Sequence, residues 1–87
     1  MKKIKLSGRE RAVIRAIDFS TGNLGAEILE RTHLAPEDLV DVLNGLMTVG
    51  YAEMRPYGEV TSVETMRETY FEVNPSYALQ LREALAR

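Results

Sequence analysis

The sequence predicts a small α+β domain in the order helix, helix, helix, strand, loop, strand, helix. Two observations lead to this fold class. Apolar residues recur with the helical period up to Gly50, and beyond it aromatic and β-branched residues become frequent, as in strands. An asparagine followed by proline, at Asn74, then marks the start of a closing helix. Because 87 residues leave room for one core, we expect residues 1–87 to form a single domain.

The composition is that of an ordinary globular protein, with 45% hydrophobic and 28% charged residues. No apolar run reaches the ~18 to 20 residues of a membrane span. The basic start is not followed by the apolar stretch of a secretory signal. The chain has no cysteine, which fits a cytoplasmic location.

The net charge of −2 conceals an uneven distribution. Residues 16–73 contain three basic residues and eleven acidic ones, so the middle of the chain is a poor electrostatic match for nucleic acid. Six of the eleven basic residues lie instead in the first fifteen positions: Lys2, Lys3, Lys5, Arg9, Arg11 and Arg15. This basic run is either a solvated arm or a contact for nucleic acid.

The first helix is predicted over residues 7–19, after an arm formed by residues 1–6. Ser7 and Glu10 have the spacing of a capping box, in which each side chain bonds the main chain of the other. Three apolar residues then form a helical stripe: Val13, Ile14 and Ile17.

The second helix is predicted over residues 24–32. Asn23 suits its N-cap, and Glu27 and Arg31 form a favourable i, i+4 pair. About three residues separate this helix from the next, so the two helices form a helix-turn-helix.

The third helix is predicted over residues 36–49. Pro36 suits its first position, and Gly50 suits the left-handed residue after its last turn. Gly45 costs about 1 kcal/mol relative to alanine in a helix interior, so either a neighbour approaches closely there or the position is simply tolerated. The inner flank is apolar: Leu39, Val42, Leu43, Leu46 and Val49. The outer flank is polar and acidic: Glu37, Asp41, Asn44 and Thr48.

Two strands, residues 51–55 and 68–73, are predicted to form a hairpin over residues 51–73. The closing helix is predicted over residues 75–86, with Asn74 as its N-cap. Its apolar side holds Tyr77, Leu81, Ala84 and Leu85.

With these elements in this order, the chain resembles the winged-helix-turn-helix family, the module of MarR-like, ArsR-like and many other bacterial transcription regulators. The resemblance covers Ser7 to about Leu85 and rests on four segments. These are GAEILERTHL, PEDLVDVLNGLMTVGY, the strand pair YAEMR and ETYFEV, and the Asn-Pro start of the last helix. It implies a winged helix with a three-helix core, a two-stranded wing hairpin and a C-terminal helix. It also implies a DNA-binding transcriptional regulator.

In that family the third helix usually enters the major groove of double-stranded DNA, and the wing touches the neighbouring backbone. By position, Asn44 would pair with an adenine edge, and Thr48 would meet a phosphate or a thymine methyl group. The basic arm would supply phosphate contacts. The implied DNA-binding residues are Lys2, Lys3, Lys5, Arg9, Arg11, Asn44, Thr48, Arg55 and Arg67.

The charges favour a second hypothesis, a winged helix that contacts protein and does not bind DNA. Glu37 and Asp41 would repel phosphates, and residues 57–65 of the wing contain no basic residue. A protein-contact face on the third helix would meet a basic partner or a second copy of the chain. It would comprise Glu37, Asp41, Asn44, Gly45 and Thr48.

The resemblance also implies a homodimer, because the first and closing helices are the family's usual dimer elements. On the closing helix, Tyr77, Leu81 and Leu85 are the residues predicted to exceed what the core can bury.

No catalytic chemistry is predicted. His33 is the only histidine, there is no cysteine, and no glycine-rich phosphate loop follows a strand. We therefore expect neither an enzyme nor a metal or cofactor site.

Overall fold

The structure is a computed structural model that describes residues 3–86. Within these residues the elements follow one another in the order α1 (Gly8–Ala16), β1 (Asn23–Leu24), α2 (Gly25–Thr32), α3 (Pro36–Thr48), β2 (Ala52–Arg55), α4 (Val63–Met66), β3 (Tyr70–Val73) and α5 (Ala78–Ala86). A 3₁₀ turn, Pro75–Tyr77, precedes α5. No helix in this part of the chain is both long and apolar enough to cross a membrane.

The sheet has three antiparallel strands in the order β1-β3-β2. The hairpin of β2 and β3 was predicted, but β1 was not. β1 has two residues, Asn23 and Leu24, which pair with Phe71 and Tyr70. A strand this short has no periodicity, and its partner lies far along the chain, so local patterning could not reveal it.

The core lies between α1, α2, α3, the sheet and α5. On the inner side of α3, Leu39, Leu43 and Leu46 have no exposed surface, as predicted, whereas Val49, which was predicted to lie on the same flank, is 54% exposed. The largest fully buried side chains are Ile14, Ile28, Leu39, Leu43, Leu46, Met66, Phe71 and Leu81.

The capping box at the start of α1 is present: the Glu10 carboxylate accepts the Ser7 N–H at 2.8 Å, and the Ser7 hydroxyl accepts the Glu10 N–H. The helix ends at Ala16, three residues before its predicted end. The turn that follows explains this difference, because the Asp18 carboxylate accepts the backbone N–H groups of Ser20 and Thr21. These bonds hold the pKa of Asp18 below its usual value.

The second helix begins at Gly25, and Asn23 does not cap it. The Asn23 side-chain oxygen accepts the Asp18 N–H at 2.7 Å, so it closes the preceding turn. The Glu27 carboxylate accepts the Leu24 N–H at the helix start. This bond, with a smaller contribution from the Asn23 amide, lowers the pKa of Glu27.

The expected pairing of Arg31 with Glu27 is replaced by a tertiary contact. Arg31 donates to the carbonyl oxygen of Ala16 at 2.8 Å and so ties α2 to the end of α1. Its charge still lowers the pKa of Glu27, as the weakest of the contributing causes.

The segment between β2 and β3, residues 56–69, is the wing loop. The sequence predicts a loop followed by a strand from residue 68, whereas the structure contains α4 and a strand that begins at Tyr70. Ser62 caps α4 by accepting the Thr65 N–H, and the Met66 side chain is fully buried. A helix of a single turn is too short to show a helical period in the sequence, so the spacing of apolar residues could not predict α4.

The closing helix differs from the prediction in which residues it exposes. Asn74 caps the 3₁₀ turn by accepting the Ser76 N–H, as expected for an N-cap. Leu81 is fully buried, Leu85 packs against the core, and the Tyr77 ring meets the Tyr51 ring edge-on at 5.1 Å. The large apolar residue that α5 exposes is Leu79, with 69% of its surface accessible, because it lies on the opposite side of the helix from Leu81.

Candidate nucleic-acid interface

The turn between α2 and α3 is set by local backbone geometry. His33 ends α2 in the left-handed conformation, with φ of 58°, and its N–H bonds the Leu29 carbonyl. Pro36 starts α3, where its missing N–H costs nothing. Gly50 has φ of 88°, which provides the predicted stop after α3. These residues fix the path of the chain into and out of α3.

The outer side of α3 is exposed and carries no basic residue. Glu37, Asp41, Gly45 and Thr48 are all exposed. A Cβ built at Gly45 would have no heavy atom within 4 Å, apart from its own local helix, so no described residue approaches there. Of the two explanations for Gly45, the structure of this chain therefore favours a tolerated glycine.

Asn44 is the one member of this side whose polar group is engaged elsewhere. Its amide nitrogen donates to the Thr61 carbonyl at 3.1 Å, and its amide oxygen accepts the Thr61 N–H at 2.8 Å. The side chain thereby fastens α3 to the wing loop. Contact with an adenine edge would require both bonds to break, because adenine recognition uses the same donor and acceptor.

The Thr48 side chain makes its hydrogen bond within α3. Its hydroxyl donates to the Asn44 carbonyl one turn earlier, at 2.9 Å, and the residue is exposed. The hydroxyl oxygen still has acceptor capacity.

The basic arm presents its lysines to solvent. Lys3 and Lys5 are exposed, while Ile4 between them is buried in the core. Arg9 lies 3.6 Å from the Asp38 carboxylate, so this cation sits beside the first turn of α3. Lys2 lies outside the described residues.

Arg11 and Arg15 bond the carboxyl end of α5. Arg11 donates to the carbonyl oxygens of Ala84 and Leu85, and Arg15 donates to that of Leu85 at 2.9 Å. The last carbonyls of a helix lack partners within the helix, so these arginines cap α5. A phosphate contact by Arg11 would compete with this role, which sequence patterning could not reveal across 73 residues.

The two wing arginines differ. Arg55 bonds the Glu72 carboxylate across the sheet at 2.9 Å. Arg67 is exposed, and its carbonyl accepts the Ala26 N–H, which places it at the start of α2. Among the described residues, the side chains of Lys3, Lys5 and Arg67 have no hydrogen-bond or ion-pair partner.

A cleft of about 460 Å³ separates the carboxyl end of α3 from the wing loop. Tyr57 and Val60 line it with 84% and 67% of their surfaces exposed. No local sequence pattern indicates this cleft, because its walls come from α3, β2 and the wing loop together.

Within residues 3–86, no group of three or more histidine, cysteine or acidic side chains is arranged to hold a metal ion.

A helix-turn-helix followed by an antiparallel hairpin with a wing loop defines a winged helix. The chain is similar to the crystal structure of the multiple antibiotic-resistance repressor (MarR) from Listeria monocytogenes 4b F2365, with a TM-score of 0.73. The alignment covers 93% of this chain and 52% of that chain, so this chain spans about half the length of the repressor. At 15% identity the likeness shows the fold. The predicted winged-helix, MarR-like fold is thereby confirmed.

No protein-family model and no curated protein matched the chain in two further comparisons.

Proposed function

We propose that the protein is a small transcription regulator that binds double-stranded DNA, with its amino-terminal cations supplying most of the phosphate contacts. The observation that carries this proposal is the shared fold with a MarR repressor over 93% of the chain. Fold alone leaves function open, so the placement of the cations has to be considered as well.

The cations lie where they can serve a winged helix on DNA. Arg9 stands beside the first turn of α3, and Lys3 and Lys5 extend outward along the arm that leads into α1. Arg67 stands at the start of α2. We propose that a DNA strand bound to the domain contacts these four side chains. An exposed ion pair such as Arg9–Asp38 is worth about 0 to 1 kcal/mol, so Arg9 can exchange it for a phosphate.

The outer side of α3 limits what bases can be recognised. Glu37 and Asp41 can only accept hydrogen bonds, as from the amino group of cytosine. Thr48 can contact a phosphate or a thymine methyl group. We therefore propose that phosphate contacts dominate the affinity and that base recognition is weak.

The experiment is fluorescence anisotropy with a random-sequence duplex at about 50 and 200 mM salt. Binding to Z phosphates gives a slope of about −0.9Z in log K against log salt. Four contacts, from Lys3, Lys5, Arg9 and Arg67, predict a slope of about −3.6 and an affinity that falls about a hundredfold over this range. Binding that is absent at 50 mM salt with tens of micromolar protein would contradict the proposal.

A matched pair of variants separates local contacts from net charge. Lys5→Gln should reduce the magnitude of the salt slope by about 0.9. Arg82→Gln removes the same charge from α5, where Arg82 stacks on Phe19 at 5.0 Å, and should leave the slope unchanged. Equal effects of the two substitutions would show that net charge, and not the arm, governs binding.

The proposal includes a cytoplasmic homodimer that joins α1 and α5 of two copies, since paired modules read two half-sites. The exposed Leu79 side chain on α5 supports this interface. Sedimentation should show a dimer that Leu79→Glu disrupts. A sedimentation profile that is unchanged by Leu79→Glu would exclude this interface.

A further inference from the structure

We propose that the cleft between the end of α3 and the wing loop binds an extended, basic segment of a partner protein. We call it the wing cleft, and it is lined chiefly by Met47, Thr48, Glu53, Tyr57, Glu59 and Val60. This inference does not depend on DNA binding, because none of the cations assigned to DNA lines the wing cleft.

The wing loop exposes an apolar surface at this cleft. Tyr57 has 84% of its surface accessible and Val60 has 67%, and both line the same cleft. Tyrosine is enriched among the residues that dominate binding energy at protein interfaces. A tyrosine and a valine exposed together provide an apolar anchor site for a partner.

The same cleft carries negative charge from two glutamates. Glu53 and Glu59 have no hydrogen-bond or ion-pair partner among the described residues. Glu53 lies directly opposite Glu72 in the β2–β3 ladder, and like charges placed opposite each other are destabilising. Arg55 neutralises Glu72 and leaves Glu53 unpaired. A cationic side chain in the cleft would pair with Glu53.

An edge strand of the sheet borders the same cleft. In the order β1-β3-β2, strand β2 is an edge strand, and its residues Ala52 and Glu53 line the wing cleft. An extended segment can add main-chain hydrogen bonds to such an edge, while its side chains alternate between two faces. A segment with alternating cationic and apolar residues could therefore pair its cations with Glu53 and Glu59 and pack its apolar side chains on Tyr57 and Val60, which line the same cleft.

Charge and packing distinguish this occupant from two others. Phosphates would be repelled by Glu53 and Glu59, which makes nucleic acid a poor fit. The chain's own basic arm has alternating lysine and apolar residues, but Ile4 of that arm is already buried in its own core. A second copy could offer its arm only by removing Ile4 from that core.

The test uses a fluorescein-labelled synthetic peptide of three arginine-valine repeats, capped at both ends. We expect it to bind, with amide shift changes in NMR spectra concentrated at residues 47–60. The peptide with glutamate in place of arginine should not bind. The peptide with glycine in place of valine should bind about tenfold more weakly, because it lacks the apolar anchor.

Three variants locate the site. Tyr57→Ser and Glu53→Gln should each weaken peptide binding about tenfold, which is the effect of losing one anchor or one ion pair in an interface. Glu64→Gln removes an exposed carboxylate from α4, outside the cleft, and should leave the affinity unchanged. Because Tyr57 is so exposed, its replacement should not affect folding, and a thermal unfolding curve checks this.

Several results would overturn the proposal. Failure of the arginine-valine peptide to bind at millimolar protein would exclude the site. Equal weakening by Glu64→Gln and Glu53→Gln would reduce the effect to general charge. A concentration-dependent dimer lost in Tyr57→Ser would assign the cleft to a second copy. Shift changes at Tyr57 and Val60 on adding duplex DNA would assign it to DNA.

Discussion

The two sides of α3 have opposite characters. The inner side buries Leu39, Leu43 and Leu46 completely, in contact with the rest of the core. The outer side exposes Glu37 and Asp41 to solvent. The inner side determines how α3 packs, and this packing is what a structural comparison detects. The outer side determines what α3 can bind, and a structural comparison does not detect it.

This difference explains why a fold shared with a repressor leaves the surface chemistry of α3 to be read from its own residues. A helix can keep its place in a winged helix as long as its buried side chains fill the core. Its exposed side chains are free to vary. In this chain they have no positive charge, so the proposed phosphate contacts come from the arm, from Arg9 on α1 and from Arg67.

The largest effect should come from the inner side. Leu43→Ala removes a fully buried side chain and leaves a cavity, which should lower the free energy of unfolding by about 2 to 5 kcal/mol. Urea denaturation measures this change. Val49→Ala is the control, because Val49 is 54% exposed at the end of the same helix and should lose much less. A loss below about 1 kcal/mol for Leu43→Ala would mean that this side does not stabilise the fold.

The second prediction concerns the link between α3 and the wing. Asn44→Ala leaves the Thr61 N–H and carbonyl without their partner, which should cost about 1 to 3 kcal/mol of stability. Hydrogen exchange at the Thr61 amide should accelerate in the same variant. Thr48→Ala breaks a bond that stays within α3 and should leave that amide protected. An unchanged exchange rate in Asn44→Ala would show that the wing does not depend on Asn44.

The third prediction concerns the charge of the outer side. The double substitution Glu37→Gln and Asp41→Asn removes two carboxylates that would face phosphates. At about 7 Å in water this repulsion predicts a gain of about sevenfold in DNA affinity at low salt. Anisotropy at about 50 mM salt measures it, with Glu64→Gln on α4 as the control for net charge. No gain over that control would place DNA away from α3.

The fourth prediction concerns the glycine on the outer side. Gly45→Ala should raise the free energy of unfolding by about 1 kcal/mol, because alanine is the better helix former and its Cβ meets no other residue. Gly25→Ala is the opposite case, since its Cβ would overlap the Met66 carbonyl. Thermal unfolding should move in opposite directions for the two variants. Destabilisation by Gly45→Ala would indicate a close neighbour at that position.

The fifth and smallest effect concerns a carboxylate that, unlike those on the outer side of α3, is held by backbone N–H groups. The pKa of Asp18 is lowered by the N–H of Ser20 and then that of Thr21. A lowered folded-state pKa stabilises the fold above the unfolded value of 3.8 and loses this contribution as the pH falls through the folded value. Stability measured from pH 5 down to about pH 2.5 should therefore fall less steeply in Asp18→Asn. Identical slopes in the two proteins would contradict this assignment.

The elements that the sequence predicts well are those with local signals. The Ser7–Glu10 capping box, the left-handed Gly50 and the Asn74 cap each depend on residues within three or four positions. Strand β1, buried Met66 and the arginine caps of α5 depend on partners distant in sequence. The same holds for the candidate site. Its exposed lysines could be predicted, whereas the engagement of Asn44 by Thr61, 17 residues away, and the wing cleft could not.

One NMR titration tests whether the arm, Arg9 and Arg67 supply the main DNA contacts. Duplex DNA is added to isotope-labelled protein at low salt, and every backbone amide is followed. The account predicts that the largest shift changes fall on residues 3–9 and at Arg67, with smaller changes along α3, and that they disappear as salt is raised. Shift changes confined to α3 and residues 56–66 of the wing loop, or none at all, would contradict it.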